Sequence, residues 1–177
     1  MTINKKYSIS ALLILSSLLL ASLVPGGLIE TRDFSHIDPI ILATFNTFLT
    51  FLLIASFFLV YFILKSKRWT MVIAALLGFS YFGVYILDLI HIFPVSPDAM
   101  SPALLWIEIC GTIVSLPLMI LAIQSLQNYP YQELAFIESS QINQQPLNQM
   151  LSVTLMIFII LISLSIIIFA TRSAMGL

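Results

Sequence analysis

Apolar residues fill five long runs of the chain, and polar residues gather between them. The runs are Ser8–Val24 ("SISALLILSSLLLASLV"), Pro39–Leu64, Trp69–Phe93, Ala103–Leu126 and Met150–Thr171. A helix needs about 20 apolar residues to cross the hydrocarbon core of a bilayer. Lipid offers no partner to a free backbone group, so each run predicts a helix rather than a strand or coil. The pattern therefore predicts an all-α fold, a polytopic transmembrane helical bundle of five spans.

The polar segments differ in length, and this sets the organisation. Short loops join the first four runs, which should pack as antiparallel neighbours. Residues 1–126 thus form a four-helix transmembrane unit with polar outer loops. Residues 127–149, rich in Gln and Asn and broken by Pro130 and Pro146, read as a polar cytoplasmic connector. Residues 150–177 hold a C-terminal transmembrane helix that is Ile-, Leu- and Phe-rich on every side, which suits a peripheral, lipid-facing position. The first run also has features of a secretory signal, with Lys5 and Lys6 ahead of it. "VPGG" is a poor cleavage sequence, however, and a retained helix is the stronger reading.

Helix ends are marked locally. Pro25, Gly26 and Gly27 close the first helix, while Asp38 is placed to cap the second with Pro39 in its first turn. Ser101 and Pro102 repeat the arrangement before the fourth. Trp69 and Trp106, close to span ends, read as interfacial anchors. Pro117 predicts a bend in the fourth helix.

Charge supplies the orientation. The chain has seven Lys and Arg, of which Lys5, Lys6, Lys65, Lys67 and Arg68 lie on one side of the predicted membrane and Arg32 and Arg172 on the other. Basic loops face the cytoplasm, so the N-terminus is expected inside and the C-terminus outside, in a bacterial-type plasma membrane. Only 8% of residues are charged, against 60% hydrophobic, where soluble domains carry about 25% charged residues. The lipid bilayer is the first partner implied. No basic patch interleaved with aromatics is present, so nucleic acid is not expected as a partner. Cys110 is the single cysteine, which excludes an internal disulfide and a CxxC redox site. Phosphate-binding, HExxH and GxSxG patterns are lacking too.

The informative polar residues lie inside the runs. On a helical period, Ala74, Gly78, Tyr81, Tyr85 and Asp88 share one stripe of the third helix, with His91 within i,i+3 reach of Asp88. Glu108, Gly111, Thr112, Ser115 and Met119 form a second stripe, and Ala43, Asn46 and Thr50 a third. At 1.5 Å per residue, Asn46, Asp88 and Glu108 each fall roughly 7–10 Å below the outer boundary. Small residues allow close helix approach, so the stripes are expected to face one another. They would gather Asp88, His91, Glu108, Asn46, Tyr81 and Tyr85 into one polar cluster.

A carboxylate at that depth costs about 1–3 kcal/mol even on lenient scales, so it needs a proton, a neighbouring cation or a bound ion. Glu30, His36 and Asp38 in the adjoining outer loop are further candidate ligands, and Arg32 and Asp33 are expected to pair on the surface. The leading reading of the cluster is a hydrogen-bonded device that fixes helix register. In the alternative, Asp88, His91 and Glu108 ligate a divalent cation, the only cofactor the donor set suggests; the sequence itself requires none. Three functions follow in order. The first is a non-enzymatic accessory subunit of a larger membrane assembly, with other membrane subunits as partners. The second is a membrane-embedded binding or transport protein that takes a cation or small ligand from the outer side through Asp88, His91 and Glu108. The third is a metal-dependent membrane enzyme.

Overall fold

The structure is a computed structural model that describes residues 3–25, 27–65, 69–127, 161, 164–173 and 175. Lys67, Arg68, the connector from 128 to 149 and the start of the fifth run lie outside the described residues. The described residues are helical with loops and contain no strand. Four long helices follow in order: α1 (Ile3–Ala21), α2 (Pro39–Leu64), α3 (Trp69–Leu89) and α4 (Pro102–Gln127). Three of them, α2, α3 and α4, are long and apolar enough to cross a membrane. Helix α1 starts earlier than its apolar run and takes in Asn4, Lys5 and Lys6, so it is less apolar. Leu164–Ser173 forms a shorter apolar helix.

The four long helices close a ring. Each packs on the next in sequence, α4 returns to α1, and α3 against α4 is the most extensive interface. Ile9 and Leu13 of α1, Leu52, Leu59 and Ile63 of α2, Met71 and Ala74 of α3, and Leu118 and Ala122 of α4 fill the interior. Small residues explain the closeness of α3 and α4. A Cβ on Gly78 would lie 3.2 Å from the Met119 nitrogen, and one on Gly111 would lie 2.5 Å from the Tyr85 ring. The α4 helix continues unbroken through Pro117, which is exposed.

The helix ends follow local chemistry. Asp38 Oδ1 accepts the Ile40 N–H at 2.7 Å, with Pro39 in the first turn of α2. Ser101 Oγ accepts the Leu104 N–H at 3.2 Å and caps α4. The loops before α2 and α4 meet at one end of the ring, where the Asp33 N–H donates to Asp98 Oδ2 at 2.8 Å and Ser96 Oγ donates to the Asp33 carbonyl at 3.0 Å. Asp33 therefore belongs to an exposed loop-to-loop contact, and the expected Arg32–Asp33 surface pair does not form.

The stripes read from the sequence face inward. Ala74, Gly78, Tyr81, Tyr85 and Asp88 are all buried, as are Glu108, Gly111 and Ser115 and Asn46 and Thr50. Thr112, Met119 and Ala43 sit at the margin, half-buried. In the C-terminal helix Leu164, Ile168 and Phe169 are exposed, and Ala170 is buried. This helix approaches α2, where the Asn46 amide donates to Thr171 Oγ1 at 3.3 Å.

Candidate functional site: a buried arginine–carboxylate cluster

Polar side chains meet at two levels of the ring. The deeper level centres on Tyr81, whose hydroxyl lies 3.1 Å from Ser17 Oγ of α1 and 2.9 Å from Ser56 Oγ of α2. Both serines also donate to carbonyls of their own helices, Leu13 and Leu52. Three helices are thereby tied together by groups that satisfy one another, which is a packing role. The Tyr81 and Tyr85 rings lie stacked, with centroids 6.4 Å apart, and the Tyr85 hydroxyl donates to the Ser16 carbonyl at 3.3 Å.

The second level lies two helical turns further along α3, beneath the meeting loops. Arg32 comes down from the α1–α2 loop and is buried. Its Nη1 and Nη2 donate to Asp88 Oδ1 and Oδ2 at 2.9 and 2.7 Å. Its Nε and Nη2 donate to Glu30 Oε1 and Oε2 at 3.0 and 2.6 Å. Glu30 Oε1 also accepts the Arg32 backbone N–H at 3.1 Å. The planar fork of a guanidinium is the only side-chain cation able to grip two carboxylates in this two-pronged way. Phe34 covers it, with its ring centroid 5.3 Å from Arg32 Cζ.

Burial alone would lower the Arg32 pKa, but the hydrogen bonds and charges of Asp88 and Glu30 outweigh it and hold the pKa above its ordinary value. Arg32 is a fixed cation at any accessible pH. Both hydrogens on its Nη2 are engaged, one by Glu30 and one by Asp88.

Glu108 stands beside this saturated fork. Its side chain is fully buried, and the nearest cationic atom, Arg32 Nη2, lies 3.9 Å from Oε1. Among the described residues, no N–H or O–H donor reaches either carboxylate oxygen, and Asp88 is the one side chain placed to accept from this group when it carries a proton. Three carboxylates therefore surround one guanidinium, and the third has no donor of its own. Glu108 faces a cavity of ≈ 40 Å³ bordered by Glu30, Arg32, Asp88, Asn46 and Tyr85 on its polar side, with apolar walls from α1 and α2. That volume holds roughly two or three water molecules.

Of the residues singled out from the sequence, Asp88, Glu108, Asn46, Tyr85 and Glu30 border this one cavity. Tyr81 belongs to the deeper serine level. His36 is exposed in the loop, and Asp38 is engaged as the α2 cap. His91 stands apart, exposed, with its ring Nδ1 3.0 Å from the Leu89 carbonyl. The physical reason is where α3 ends. The helix stops at Leu89, and His91 adopts a left-handed φ of 58°; its backbone N–H still donates to the Asp88 carbonyl at 2.9 Å, but the side-chain pairing with Asp88 is lost. Among the described residues, no group of three or more His, Cys, Asp and Glu side chains is placed to hold a metal ion. Arg32 instead bridges Glu30 and Asp88.

Sequence reasoning missed Arg32. A signal was present: two acids inside apolar runs, Asp88 and Glu108, need a proton or a counter-ion, and Arg32 is the one Lys or Arg in the loops at that end of the four-helix unit. Its neighbour Asp33 drew the pairing instead.

Residues 5–149 match the model of a family described as Domain of unknown function (DUF8051). The chain belongs to this family. No curated protein and no solved structure matches it. The DUF8051 match takes in every member of the cluster from Glu30 to Glu108 and stops one residue before the apolar run at Met150.

Proposed function

We propose that the chain is a small, non-enzymatic integral membrane protein that binds a cation or a small protonated ligand in the Glu108 cavity. One observation carries this reading: Glu108 is fully buried, borders a cavity and has no hydrogen-bond donor among the described residues. A buried carboxylate without a donor persists only when a proton or a cation neutralises it. The Tyr81–Ser17–Ser56 contact at the deeper level, by comparison, pairs its own hydroxyls. The distribution of Lys and Arg supports five spans with the N-terminus cytoplasmic and the C-terminus outside. The ligand then enters from the outer side of a bacterial-type plasma membrane, past the loops that hold Arg32.

The test is thermal unfolding of the purified protein in lipid nanodiscs against sodium, potassium, magnesium and methylammonium chlorides, for wild type and Glu108→Gln. A ligand at about 100 times its Kd stabilises by about 2.7 kcal/mol, a shift of several degrees for a chain of this size. At least one cation should produce it in wild type and none in Glu108→Gln. Identical responses of the two proteins to every cation would overturn the reading.

A second reading, an accessory subunit of a larger membrane assembly, draws on the exposed aromatic face of α2, where Phe48, Phe51, Phe58 and Tyr61 point away from the ring. A partner's helices could cover that face in place of lipid. Recovery of the protein alone and monodisperse from membranes in mild detergent would count against it.

A further inference from the structure

A second cavity adjoins the Glu108 cavity. Leu20, Leu23, Pro25, Asn46 and Leu49 border both, so the two meet along α1 and α2. The second, also of ≈ 40 Å³, is walled by Val24, Thr50, Leu53 and, from the C-terminal helix, Ile166 and Ala170. Its two polar side chains, Asn46 and Thr50, each donate a hydrogen bond elsewhere. Thr50 Oγ1 donates to the Asn46 carbonyl at 2.7 Å, and the Asn46 amide donates to Thr171. What remains toward the space is aliphatic. Leu53, Val24 and Ile166 are only half-buried, so the second cavity reaches the outer face of the helices.

We propose that the ligand of this site is a single-chain amphiphile with a primary ammonium head, its head on Glu108 and the start of its alkyl chain in the second cavity. The inference rests on the binding function proposed above and names its ligand class. Charge decides the head: three carboxylates face one guanidinium whose Nη2 is saturated, so the open position takes a cation that donates hydrogen bonds. An inorganic divalent ion demands about six oxygen ligands, whereas an ammonium is held by one carboxylate and its directional N–H bonds. Shape decides the remainder. Among the described residues, the lining that the two cavities share is apolar apart from Asn46, and an alkyl chain is what such a wall stabilises. Beyond Leu53 and Ile166 the chain joins the lipid.

A homologous series tests this on the full chain in phosphatidylcholine nanodiscs, with methylamine, butylamine, hexylamine and octylamine as probes, octanol as the uncharged control, and thermal shift as the readout. Burial of a methylene is worth about 0.8 kcal/mol, so apparent affinity should rise about fourfold per added carbon until the cavity is filled, then level off. Octanol should give no shift. Glu108→Gln should abolish the amine response, and Ala170→Trp and Leu53→Trp, filling the second cavity from the C-terminal helix and from α2, should each flatten the series in the same lipid. Equal affinity for methylamine and octylamine in wild type would overturn the amphiphile while leaving a cation site at Glu108. A chain-length series that survives in Glu108→Gln, or that octanol reproduces, would overturn the placement of the head. No response to any amine in wild type would overturn the amphiphile, and the cation reading too if sodium, potassium and magnesium also fail.

Discussion

Arg32 grips Asp88 through two parallel hydrogen bonds of 2.9 and 2.7 Å, although 56 residues separate them. The contact locks the loop ahead of α2 onto the end of α3. Removing one partner of a buried ion pair strands the other's charge and costs about 3–5 kcal/mol. Arg32→Met should therefore destabilise by that amount, because Glu30 and Asp88 both lose their donor. Arg32→Lys should recover little, since an ammonium cannot match two carboxylates as a fork does. Equilibrium unfolding of the three proteins under identical lipid conditions measures the difference.

Glu108 should behave in the opposite way. Asp88→Asn breaks a two-pronged pair, whereas Glu108→Gln removes a charge that has no donor, at nearly constant shape. We expect Asp88→Asn to lose several kcal/mol and Glu108→Gln to be neutral or stabilising in ligand-free protein. A Glu108→Gln loss as large as that of Asp88→Asn, read from the same unfolding curves, would assign Glu108 to the structural network.

Much of this architecture was legible along the chain, and the reasons differ by element. Asp38 and Ser101 act through atoms two or three residues away, so their capping was readable from local sequence alone. The inward stripe from Ala74 to Asp88 was readable because one helical period holds from Trp69 to Leu89. The same period misled at His91, two residues past the point where the helix stops. Arg32 was hidden for a different reason. Its partner Asp88 is distant in sequence, and its immediate neighbour Asp33 offered a local pairing that the loop geometry does not use. The contact of Asn46 with Thr171 was out of reach for the same reason, since 125 residues intervene.

Gly111 makes room for Tyr85. Its missing Cβ would lie 2.5 Å from the ring, so Gly111→Ala forces the tyrosine or α4 to move, at a cost of about 1–3 kcal/mol. In a Tyr85→Leu background the same substitution should be close to neutral. A double-mutant cycle isolates the coupling, and additive losses would mean that the ring is not what Gly111 accommodates.

The loop contact at Asp33 carries a weak acid dependence. The Ser35 backbone N–H and then the Ser35 hydroxyl, at 2.8 and 2.9 Å, hold the exposed Asp33 carboxyl below its ordinary pKa of 3.8. A depressed carboxyl pKa stabilises the folded loop fully above that ordinary value and loses its effect as pH falls through the lower, folded value. The Ser35 amide resonance should thus hold steady at neutral pH and shift only below pH 3.8. In Asp33→Asn that acid step should vanish.

The central claim is that Glu108, beside a guanidinium already shared by Glu30 and Asp88, is the group left to meet a ligand. Infrared difference spectroscopy on the protein in nanodiscs tests it most directly, by comparing wild type and Glu108→Gln on addition of methylammonium. The account predicts a change in one carboxyl band on ligand addition in wild type, absent from Glu108→Gln. A Glu108 band indifferent to the cation, or an identical change in both proteins, would contradict it.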